Sequence, residues 1–571
     1  VLPAEEAIQY MKEKAEAKFS KKGQEIVDMN WKAIDAGCNA LHEVAIPADW
    51  ANAVDNSAKA KLEGEAKTVA MVEKLMNPIA LMDGDSLPVS AFKDCADGQF
   101  ELGASAYEKR GTAVMVPEWD AAKCIQCNNC AFVCSHATIR PYLLSEAEEK
   151  AAPAGLVAVD TKPKAGQYKY TMSVSPLDCM GCGECVTVCP TAAIKMVPQE
   201  SRLAEQPVWD YLVKNVSKKA DSGYADSTVK GSQFNQPLLE FSGSCAGCAE
   251  TSYARLITQL FGENMYISNA TGCSSIWGGP AATSPYTINK DSKKGPAWAN
   301  SLFEDNAEHG LGMYVGQKFI RDSLIAKLNE IAAGDKASDS LKAAIAKFME
   351  TKDSTLDNVE PTKALIAELE KLDCCCKDEI LEKKAYLNKK SVWIMGGDGW
   401  AYDIGFGGLD HVLASGENVN VMVFDTEMYS NTGGQASKAS NIGEVCQFAA
   451  AGKDISKKSL AEIAMSYGYV YVAQIALGAN PAQALKAIQE AEAYNGPSLI
   501  IGYAPCELHG VKGGMNHCQD EMKAAVKAGY WNLFSYNPAL KAEGKNPFTL
   551  TSKEGDGSYQ AFLANEARFS A

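Results

Sequence analysis

The chain has 571 residues, 46% of them hydrophobic, and a formal net charge of −16 at pH 7. This length is too great for one hydrophobic core and predicts about three or four domains. Its basic residues are interspersed among acidic ones and no apolar run approaches the roughly 18 residues of a membrane helix, which excludes nucleic-acid-binding and membrane-spanning classes.

The first 118 residues are predicted to be helical at first and irregular afterwards. Apolar residues recur at helical spacing from residue 1 to about residue 42, in two stretches that Gly23 separates. From residue 43 to about residue 118, Ala, Asp, Gly and Lys are mixed without a strong period. That composition is typical of a segment that connects larger domains.

Two runs of four cysteines with the same spacing follow this segment. Each reads C-x-x-C-x-x-C-x-x-x-C; the first is Cys124, Cys127, Cys130 and Cys134, and the second is Cys179, Cys182, Cys185 and Cys189. This spacing lets one tight loop bring three thiolates to three irons of a cubane, so the runs predict two [4Fe–4S] clusters. The cross-ligation rule of two-cluster ferredoxins assigns Cys189 to the first run's cluster and Cys134 to the second run's cluster. Structural zinc is the alternative, but zinc favours two separated C-x-x-C pairs.

The cysteine content also bears on the cellular compartment. Nineteen cysteines could suggest disulfides. Most of them stand at ligand spacings, however, and cluster ligands must remain reduced thiolates. We therefore expect a reducing, cytoplasmic environment.

Residues 235–571 are predicted to form the largest unit, an α/β domain. Residues 318–390 within it are rich in Ala, Lys, Glu and Leu at helical spacing, which indicates surface helices inserted into the domain. After them, the apolar runs Val392–Met395 and Val419–Phe424 suit neighbouring buried strands of a parallel sheet.

Each of these two strands ends in a loop whose residues suit a cation and a diphosphate. The first loop contains Gly397, Asp398 and Gly399, and the second runs from Asp425 to Gly434. Ligands bind beyond the carboxyl ends of parallel strands, so we expect the two loops to lie side by side. A carboxylate, an oxygen side chain and a backbone carbonyl suit Mg²⁺, and glycines let a diphosphate approach the backbone.

The two loops resemble the diphosphate motif of thiamine-diphosphate enzymes, with Asp425-Thr426 where Asn-Asn is more usual. The resemblance implies that Asp398 and Thr426 bind Mg²⁺ by their side chains and Met428 by its carbonyl. It also implies a larger set of cofactor-binding residues, namely Gly397, Asp398, Gly399, Asp425, Thr426, Met428, Asn431, Thr432, Gly433 and Gly434. The alternative is an ordinary glycine-rich turn before a helix.

Three further cysteines predict another [4Fe–4S] cluster. Cys245 and Cys248 form a C-x-x-C among small residues, and Cys273 follows in a Gly-Cys-Ser turn. A cluster needs a fourth thiolate, and Cys506 follows an apolar run, at the carboxyl end of a predicted strand. That position would bring it to the face that carries the thiamine loops. The alternatives are buried cysteines that act only as small apolar residues. The other candidates for the fourth ligand are Cys446 and Cys518.

Several motifs together resemble pyruvate:ferredoxin oxidoreductase: the double cysteine run, Glu108-Lys109-Arg110-Gly111, Cys245-Ala246-Gly247-Cys248, the two loops, and Tyr503-Ala504-Pro505-Cys506. The resemblance covers nearly the whole chain and implies the C-terminal half of the long single-chain form. The implied fold class is a multidomain α/β protein with a thiamine-diphosphate-binding doubly wound parallel sheet and a bacterial-type two-cluster ferredoxin-like α+β domain. The expected domains are the C-terminal end of a central α/β domain (1–60), a Glu-Lys-Arg linker domain (61–118), a 2[4Fe–4S] ferredoxin-like domain (119–215) and the thiamine-diphosphate-binding domain (216–571) with its helical insertion (318–390).

The activity that this resemblance implies is the oxidative decarboxylation of pyruvate with coenzyme A to acetyl-CoA and CO₂. Electrons would pass through three [4Fe–4S] clusters to ferredoxin or flavodoxin, and Asn431 would lie near the substrate as a catalytic residue. The full enzyme would be a homodimer, with no nucleic acid or membrane as a partner. The alternatives are another 2-oxoacid:ferredoxin oxidoreductase and a non-catalytic iron–sulfur electron-transfer subunit.

The start of the chain, Val1-Leu2-Pro3, is followed by neither a basic nor an apolar segment and has no initiator methionine. It is typical of neither a signal peptide nor a normal translation start. The family supplies the activating glutamate and the substrate-binding arginine from N-terminal domains. We therefore expect these groups to come from a companion chain or from the rest of a longer one.

Overall fold

The structure is a computed structural model that describes residues 2–53, 61–280 and 283–570, and its contacts divide it into two units. The first unit, Val1–Glu63, contains helices α1 (Ala4–Phe19) and α2 (Gln24–Asn39). Between them Gly23 adopts a φ of 104°, a left-handed conformation that glycine accepts without steric cost. The helical prediction for residues 1 to about 42 is confirmed.

The second unit, Gly64–Ala571, begins with short helical segments, α3 (Ala66–Met71) and α4 (Asn77–Ala80), joined by a π-helical turn. This stretch then attaches to the two parts that follow. Lys109 Nζ lies 2.6 Å from the Asp178 carboxylate, in the region of the second cysteine run. Arg110 donates a hydrogen bond of 2.6 Å to the carbonyl of Phe241. The Lys-Arg pair therefore joins the cysteine runs to the start of the large domain.

The region of the cysteine runs is a small α+β fold, and its domain bounds at 119 and 215 stay a prediction. Its elements are β1 (Met115–Trp119), α5 (Asn129–Val133), β2 (Ile139–Leu144), α6 (Glu146–Ala151), β3 (Val159–Asp160), β4 (Lys169–Val174), α7 (Glu184–Thr187), β5 (Ile194–Pro198) and α8 (Gln206–Asn215). Strands β1 and β5 pair antiparallel, as do β2, β4 and β3 in that order. Each cysteine run contains one short helix, α5 or α7, and is followed by a strand, so the two halves repeat.

The large domain is built on one eight-stranded sheet. Its elements before the sheet's central strands are α9 (Val229–Ser232), α10 (Ala249–Phe261), β6 (Met265–Ala270), α11 (Cys273–Gly278), β7 (Ala297–Ser301), α12 (Asn306–Ala333), α13 (Asp339–Thr351), α14 (Val359–Lys371) and α15 (Asp378–Glu382). The rest are β8 (Ser391–Gly397), α16 (Phe406–Ala414), β9 (Asn420–Asp425), β10 (Met428–Tyr429), β11 (Gln435–Ala436), α17 (Leu460–Ser466), β12 (Tyr471–Ile475), α18 (Pro481–Ala493), β13 (Ser498–Tyr503), α19 (Cys518–Ala528), β14 (Phe534–Tyr536), β15 (Phe548–Leu550) and α20 (Tyr559–Leu563).

The strands of this sheet lie in the order β15-β14-β12-β13-β9-β8-β6-β7. The strands from β12 to β7 in that order are parallel, whereas β14 pairs antiparallel with β12 and with β15. The predicted strands are found in β8 and β9, which lie side by side with Trp393 opposite Asn420. The prediction of an α/β fold with a mainly parallel sheet, next to a smaller α+β region that contains the cysteine runs, is therefore confirmed.

The helical insertion is also present, between β7 and β8. Helices α12 to α15 bury a core of their own, which includes Leu328, Phe348 and Leu365. Its first helix starts at Asn306, earlier than the predicted residue 318. The sequence does not predict this start, because glycines between Asn306 and residue 318 lower the helix propensity of that stretch. Gly310 is needed for close packing, since a Cβ at that position would lie 2.4 Å from the side chain of Ile394 in β8.

Within the part of the chain that the structure describes, no helix is long and apolar enough to cross a membrane.

Candidate thiamine and iron–sulfur sites

The carboxyl ends of β8 and β9 meet at three oxygen atoms. Asp398 follows β8, and its Oδ1 accepts hydrogen bonds from the backbone nitrogen of Thr426 at 3.1 Å and from Thr426 Oγ1 at 2.9 Å. Thr426 Oγ1 also lies 3.0 Å from the carbonyl oxygen of Met428. The two loops therefore lie side by side, as predicted from the strand ends.

These three oxygens suit a divalent cation. The Thr426 hydroxyl carries one hydrogen but lies within hydrogen-bond distance of two acceptors, Asp398 Oδ1 and Met428 O. Adjacent ligands of an octahedral Mg²⁺ at 2.0–2.1 Å are separated by about 2.9 Å, which is close to both observed distances. A cation bound to all three oxygens would relieve the competition for one hydrogen.

The burial and charge environment of Asp398 also favour a bound cation. The side chain is fully buried, and its Oδ2 accepts a hydrogen bond of 2.5 Å from Ser437. Burial, and then the negative charge of Asp425, raise the pKa of Asp398 well above its ordinary value. A buried carboxylate of this kind gains most from a bound cation, because the cation favours the charged form.

The glycines of the two loops leave room around these oxygens. A Cβ on Gly399 would lie 2.6 Å from the ring of Tyr429, so the turn after Asp398 tolerates only glycine there. Gly433 and Gly434 adopt φ values of 121° and 81°. Such conformations favour glycine and shape the loop that follows Met428. Gly397 belongs to the end of β8, where a Cβ would lie 3.9 Å from the carbonyl oxygen of Phe424, an ordinary van der Waals distance.

The carboxylate of Asp425 contacts a tyrosine and a lysine instead of the proposed cation ligands. Its Oδ2 accepts from Tyr402 at 2.7 Å, and Lys457 Nζ lies 2.9 Å from the same oxygen and 3.0 Å from Oδ1. Lys457 was not singled out from the sequence. Its ammonium is held between Asp425 and Glu427, and their charges raise its pKa despite its burial. The pair stabilises the base of the second loop.

His509 also contacts the second loop. It is fully buried, and its Nε2 donates to the carbonyl of Thr426 at 2.8 Å, because a carbonyl can only accept. The backbone nitrogen of Cys506 lies 3.4 Å from the other ring nitrogen. His509 thus connects the loop of Thr426 with the loop of Cys506.

The four thiols proposed for the third cluster belong to three separate elements. Cys248 precedes α10, Cys273 opens α11, and Cys506 follows β13. The pKa of Cys273 is raised by burial and then by the charges of Glu250, Cys248 and Cys506, and Cys245 contributes in the same way to the raised pKa of Cys506. Such couplings require that the thiols lie near one another. Cys273 therefore lies within range of the charges of Cys248 and Cys506, and Cys506 within range of the charge of Cys245, as the proposed cluster requires.

The rival fourth ligands lie elsewhere. Cys446 is buried beside Ser440 and Glu444. Cys518 is fully buried, and its thiol hydrogen-bonds with Glu184 next to the second cysteine run. The charges of Cys245, Cys248 and Cys273 do not act on Cys446. The charge of Cys248 does contribute to the raised pKa of Cys518, but the charge of Glu184, within the second cysteine run, contributes more.

The thiol group and the cation site are neighbours. The Ser430 side chain lies close enough to the thiol of Cys506 to lower its pKa, and it donates a 2.8 Å hydrogen bond to Thr426 Oγ1. Thr426 Oγ1 in turn reaches Asp398 at 2.9 Å. Asn431 likewise lies close enough to the thiol of Cys273 to lower its pKa. Asn431 and the adjacent Thr432 and Gly433 are exposed, on the surface of the loop.

The last cysteine of each run lies within range of the charges of the other run. The pKa values of Cys127 and Cys130 are raised by burial and by the charges of Cys124 and Cys189. For Cys182 and Cys185, the corresponding charges include those of Cys179 and Cys134, and the charge of Cys130 in the first run also acts on Cys185. Cys189 therefore lies with the first run and Cys134 with the second, the arrangement that two-cluster ferredoxins require.

Over residues 2–53, 61–280 and 283–570, no three His, Cys, Asp or Glu side chains converge as they would around one metal ion. A cubane makes no such demand, because each of its four thiolates binds a different iron. The proposed Mg²⁺ ligands include a hydroxyl and a backbone carbonyl, which are also outside that set. The arrangement of the cysteines fits clusters better than single zinc ions.

A short segment lies between the second cysteine run and the third group of thiols. A Cβ on Gly247, within Cys245-Ala246-Gly247-Cys248, would lie 2.9 Å from the carbonyl of Met515. Four residues further on, Gln519 Nε2 donates to the buried carboxylate of Glu184 at 3.0 Å. The His136 ring, just after the first run, lies within hydrogen-bond distance of Ser244. Both cysteine runs thus pack directly against the region of the third group.

Three family models match parts of the chain. The EKR model, described as a domain of unknown function, matches residues 57–113. A 4Fe-4S dicluster domain matches residues 123–193, and the C-terminal TPP binding domain of thiamine pyrophosphate enzymes matches residues 382–501. The last two cover both cysteine runs and the loops of Asp398 and Thr426.

Curated relatives match the whole chain. A pyruvate-flavodoxin oxidoreductase from Klebsiella pneumoniae is 48% identical over 578 residues, which cover 100% of this chain and 48% of the relative. A pyruvate:ferredoxin oxidoreductase from Moorella thermoacetica is 49% identical, with coverage of 100% and 49%. The mitochondrial pyruvate dehydrogenase [NADP(+)] of Euglena gracilis is 45% identical, with coverage of 100% and 31%. The chain thus spans about half the length of the first two relatives.

A solved structure of 2-oxoglutarate:ferredoxin oxidoreductase from Magnetococcus marinus matches 56% of this chain and 85% of its own, at 15% identity and a TM-score of 0.29. That likeness is too low to support a conclusion. The sequence relatives are decisive instead. Over all of its 571 residues the chain is homologous to pyruvate:ferredoxin and pyruvate-flavodoxin oxidoreductases, and it carries a 4Fe-4S dicluster domain and a thiamine pyrophosphate-binding domain.

Proposed function

We propose that this chain binds thiamine diphosphate with Mg²⁺ and three [4Fe–4S] clusters, as part of an enzyme that converts pyruvate and coenzyme A to acetyl-CoA and CO₂ and reduces ferredoxin or flavodoxin. The names and full-chain similarity of its relatives support the reaction. The single observation that carries the proposal is the series of neighbouring side chains Cys506, Ser430, Thr426 and Asp398, of which the last three are joined by hydrogen bonds. It joins a cluster ligand to a cation site.

In this proposal Asp398, Thr426 and the carbonyl of Met428 hold Mg²⁺, and the cation holds the diphosphate. The loop of Asn431, Thr432, Gly433 and Gly434 lies over the same site. Asn431, beside the thiol of Cys273, is assigned to contact the substrate. Asp425 and Lys457 form an ion pair that holds the second loop, and they do not bind the cation.

When bound, thiamine diphosphate supplies the carbanion that attacks a 2-oxoacid and an electron sink for the loss of CO₂, while iron–sulfur clusters accept electrons singly. The residues of this chain set the positions of these cofactors relative to one another. Cys245, Cys248, Cys273 and Cys506 set the third cluster next to the cation site. The contact of Met515 with Gly247 and of Gln519 with Glu184 sets the second-run cluster next to the third.

The parts of the relatives that this chain does not span are assigned the remaining groups, including the activating glutamate and the residues that select the 2-oxoacid. The working enzyme is then a homodimer of the complete protein, in the cytoplasm. The domain bounds of the chain are proposed as 1–60, 61–118, 119–215 and 216–571.

The experiment is a comparison of 2-oxoacids as electron donors. The chain, assembled with the part that completes the length of its relatives, is given coenzyme A and a low-potential dye under anaerobic conditions. We expect pyruvate to reduce the dye at least tenfold faster than 2-oxoglutarate, a branched 2-oxoacid or an aryl pyruvate. Faster reduction by another acid would assign that acid as the substrate, and no reduction by any would support a carrier of electrons without acyl chemistry.

A further inference from the structure

Glu427 stands between two proposed cation ligands in an unusual conformation. Its φ is 62°, in the left-handed region that side chains other than glycine seldom adopt. The turn that it makes separates Thr426 from Met428 and brings the carbonyl of Met428 back to 3.0 Å from Thr426 Oγ1. A residue strained in this way persists only when its surroundings hold it.

The side chain of Glu427 is held by four donors. Lys457 Nζ lies 2.9 Å from Oε1, and Asn441 Nδ2 donates to the same oxygen at 2.7 Å. Tyr530 donates to Oε2 at 2.6 Å, and Arg568 reaches Oε2 at 2.7 Å. The carboxylate is 1% exposed, so these contacts are shielded from water. Together they fix the turn that positions Thr426 and Met428.

Arg568 is also the centre of a larger buried group. Besides Glu427, its guanidinium contacts Glu444 at 3.2 Å and Glu566 at 2.6 Å. All four side chains are at most 1% exposed. The planar guanidinium suits several carboxylates at once, and a lysine cannot reproduce that geometry.

Glu566 extends this group to the other loop. Its Oε1 lies 3.6 Å from His509 Nδ1, and His509 Nε2 donates to the carbonyl of Thr426. His509 also lies three residues after Cys506, and the backbone nitrogen of Cys506 lies 3.4 Å from its Nδ1. The turn that contains Glu566 and Arg568 therefore touches both the loop of the cation site and the loop of the fourth cluster ligand.

We propose that the Glu566–Arg568 turn is a positioning element that locks the Thr426–Met428 loop and the Cys506–His509 loop into one unit. The cation site and the third cluster then keep their spacing because both depend on the same buried ion group. The link to thiamine diphosphate rests on the proposed function, whereas the link between the two loops does not.

The test compares Arg568→Met with Arg321→Met in the 571-residue chain. Arg321 is a matched control, a mostly buried arginine that donates to the carbonyls of Leu387 and Lys352 within the helical insertion. The first measurement is backbone hydrogen exchange at a temperature where circular dichroism shows both variants folded. We expect Arg568→Met to speed exchange at least tenfold in residues 425–434 and 506–510 together, and Arg321→Met to leave both loops unchanged.

The second measurement is the affinity for thiamine diphosphate in the presence of Mg²⁺, by calorimetry. We expect Arg568→Met to weaken it at least tenfold, Arg568→Lys to restore part of the loss, and Arg321→Met to have no effect. If Arg568→Met fails to fold, Glu427→Gln provides the same comparison, since it keeps the volume of the side chain but removes the charge that Arg568 and Lys457 hold.

Exchange rates and affinities within twofold of the unsubstituted chain in folded Arg568→Met, or in Glu427→Gln, would overturn the positioning role. Faster exchange in only one of the two loops would also overturn it, because the loops would then be independent. Should the unsubstituted chain itself bind no thiamine diphosphate, the proposed function fails, and hydrogen exchange alone still decides whether the turn couples the loops.

Discussion

Thr426 Oγ1 donates a hydrogen bond of 2.9 Å to Asp398 Oδ1 and so joins the ends of two neighbouring parallel strands. This contact is the narrowest point of the proposed cation site. Asp398 is fully buried, and burial and the charge of Asp425 raise its pKa, so the protein alone disfavours the charged form of this carboxyl.

The first prediction concerns Asp398→Asn. A raised folded-state pKa means that the contribution of this carboxyl to stability falls as pH rises above its unfolded value, so the amide should stabilise the cofactor-free chain at pH 8. The same change removes the cation's charged ligand. Saturating Mg²⁺ and thiamine diphosphate at 100 times Kd should stabilise the unsubstituted chain by about 2.7 kcal/mol and the variant by almost nothing. Urea unfolding with and without both ligands measures this.

Asp322→Ala, on the exposed side of α12, is the control and should leave both values unchanged. Equal stabilisation of Asp398→Asn and the unsubstituted chain by the ligands would show that the cation binds elsewhere.

The second prediction separates the candidates for the fourth ligand of the third cluster. Cys506→Ser should lower the iron content of the reconstituted chain from about twelve to about eight atoms, because one cubane of four irons loses its closing ligand. Cys446→Ser should retain about twelve, since Cys446 lies beside Ser440 and Glu444 instead. Iron and acid-labile sulfide are measured after anaerobic reconstitution. The reverse result would assign the ligand to Cys446.

The third prediction tests the exchange of Cys134 and Cys189 by double substitution. Cys124→Ser with Cys189→Ser should damage one cluster and remove about four irons, because both thiols belong to the first-run cluster. Cys124→Ser with Cys134→Ser should damage two clusters and remove about eight. Equal losses, or a larger loss from the first pair, would contradict the exchange.

The fourth prediction concerns Glu492, which ties the helical insertion to the sheet. Its buried carboxylate accepts from Thr355 at 2.5 Å, Ser391 at 2.6 Å and Asn420 at 2.9 Å. Burial raises its pKa. Its contribution to the free energy of unfolding is therefore fully present below the unfolded value near pH 4.5 and is lost as pH rises through the folded value.

Glu492→Gln cannot ionise, so it should gain stability over the unsubstituted chain between pH 5 and pH 8, by at most about 1.4 kcal/mol per pH unit. Urea unfolding at both pH values measures the difference. Glu350→Gln, on the exposed face of α13, is the control. A difference between Glu492→Gln and the unsubstituted chain that stays constant with pH would contradict the titration of this group.

Most features that could be predicted from the sequence depend on residues that are close together in the chain. The cysteine runs and the strand ends at Asp398 and Thr426 follow from local spacing, because a tight loop or a strand end places its residues without help from the rest of the chain. The structure then brings Cys189 to the first run and Cys506 to the thiols of Cys245 and Cys273.

The supporting groups could not be predicted in this way. Glu427, Lys457 and Arg568 are ordinary charged residues in sequence, and charged residues are mostly found at the surface. They become buried partners only when distant segments meet in the fold, 30 residues apart for Lys457 and Glu427 and much further apart for Arg568 and Glu427. His509 follows Cys506 at the end of a predicted strand, and this position is the one feature of the sequence that could have indicated its role.

The most direct test of the central claim, that a thiamine site and a third cluster share one face of this chain, is the cofactor content of the anaerobically reconstituted protein. We predict about twelve iron atoms and one thiamine diphosphate per chain, with both thiamine and about four irons lost together in a Thr426→Ala, Cys506→Ser double variant. About eight irons and no thiamine in the unsubstituted chain would contradict the claim, because only the two ferredoxin-type clusters would then be present.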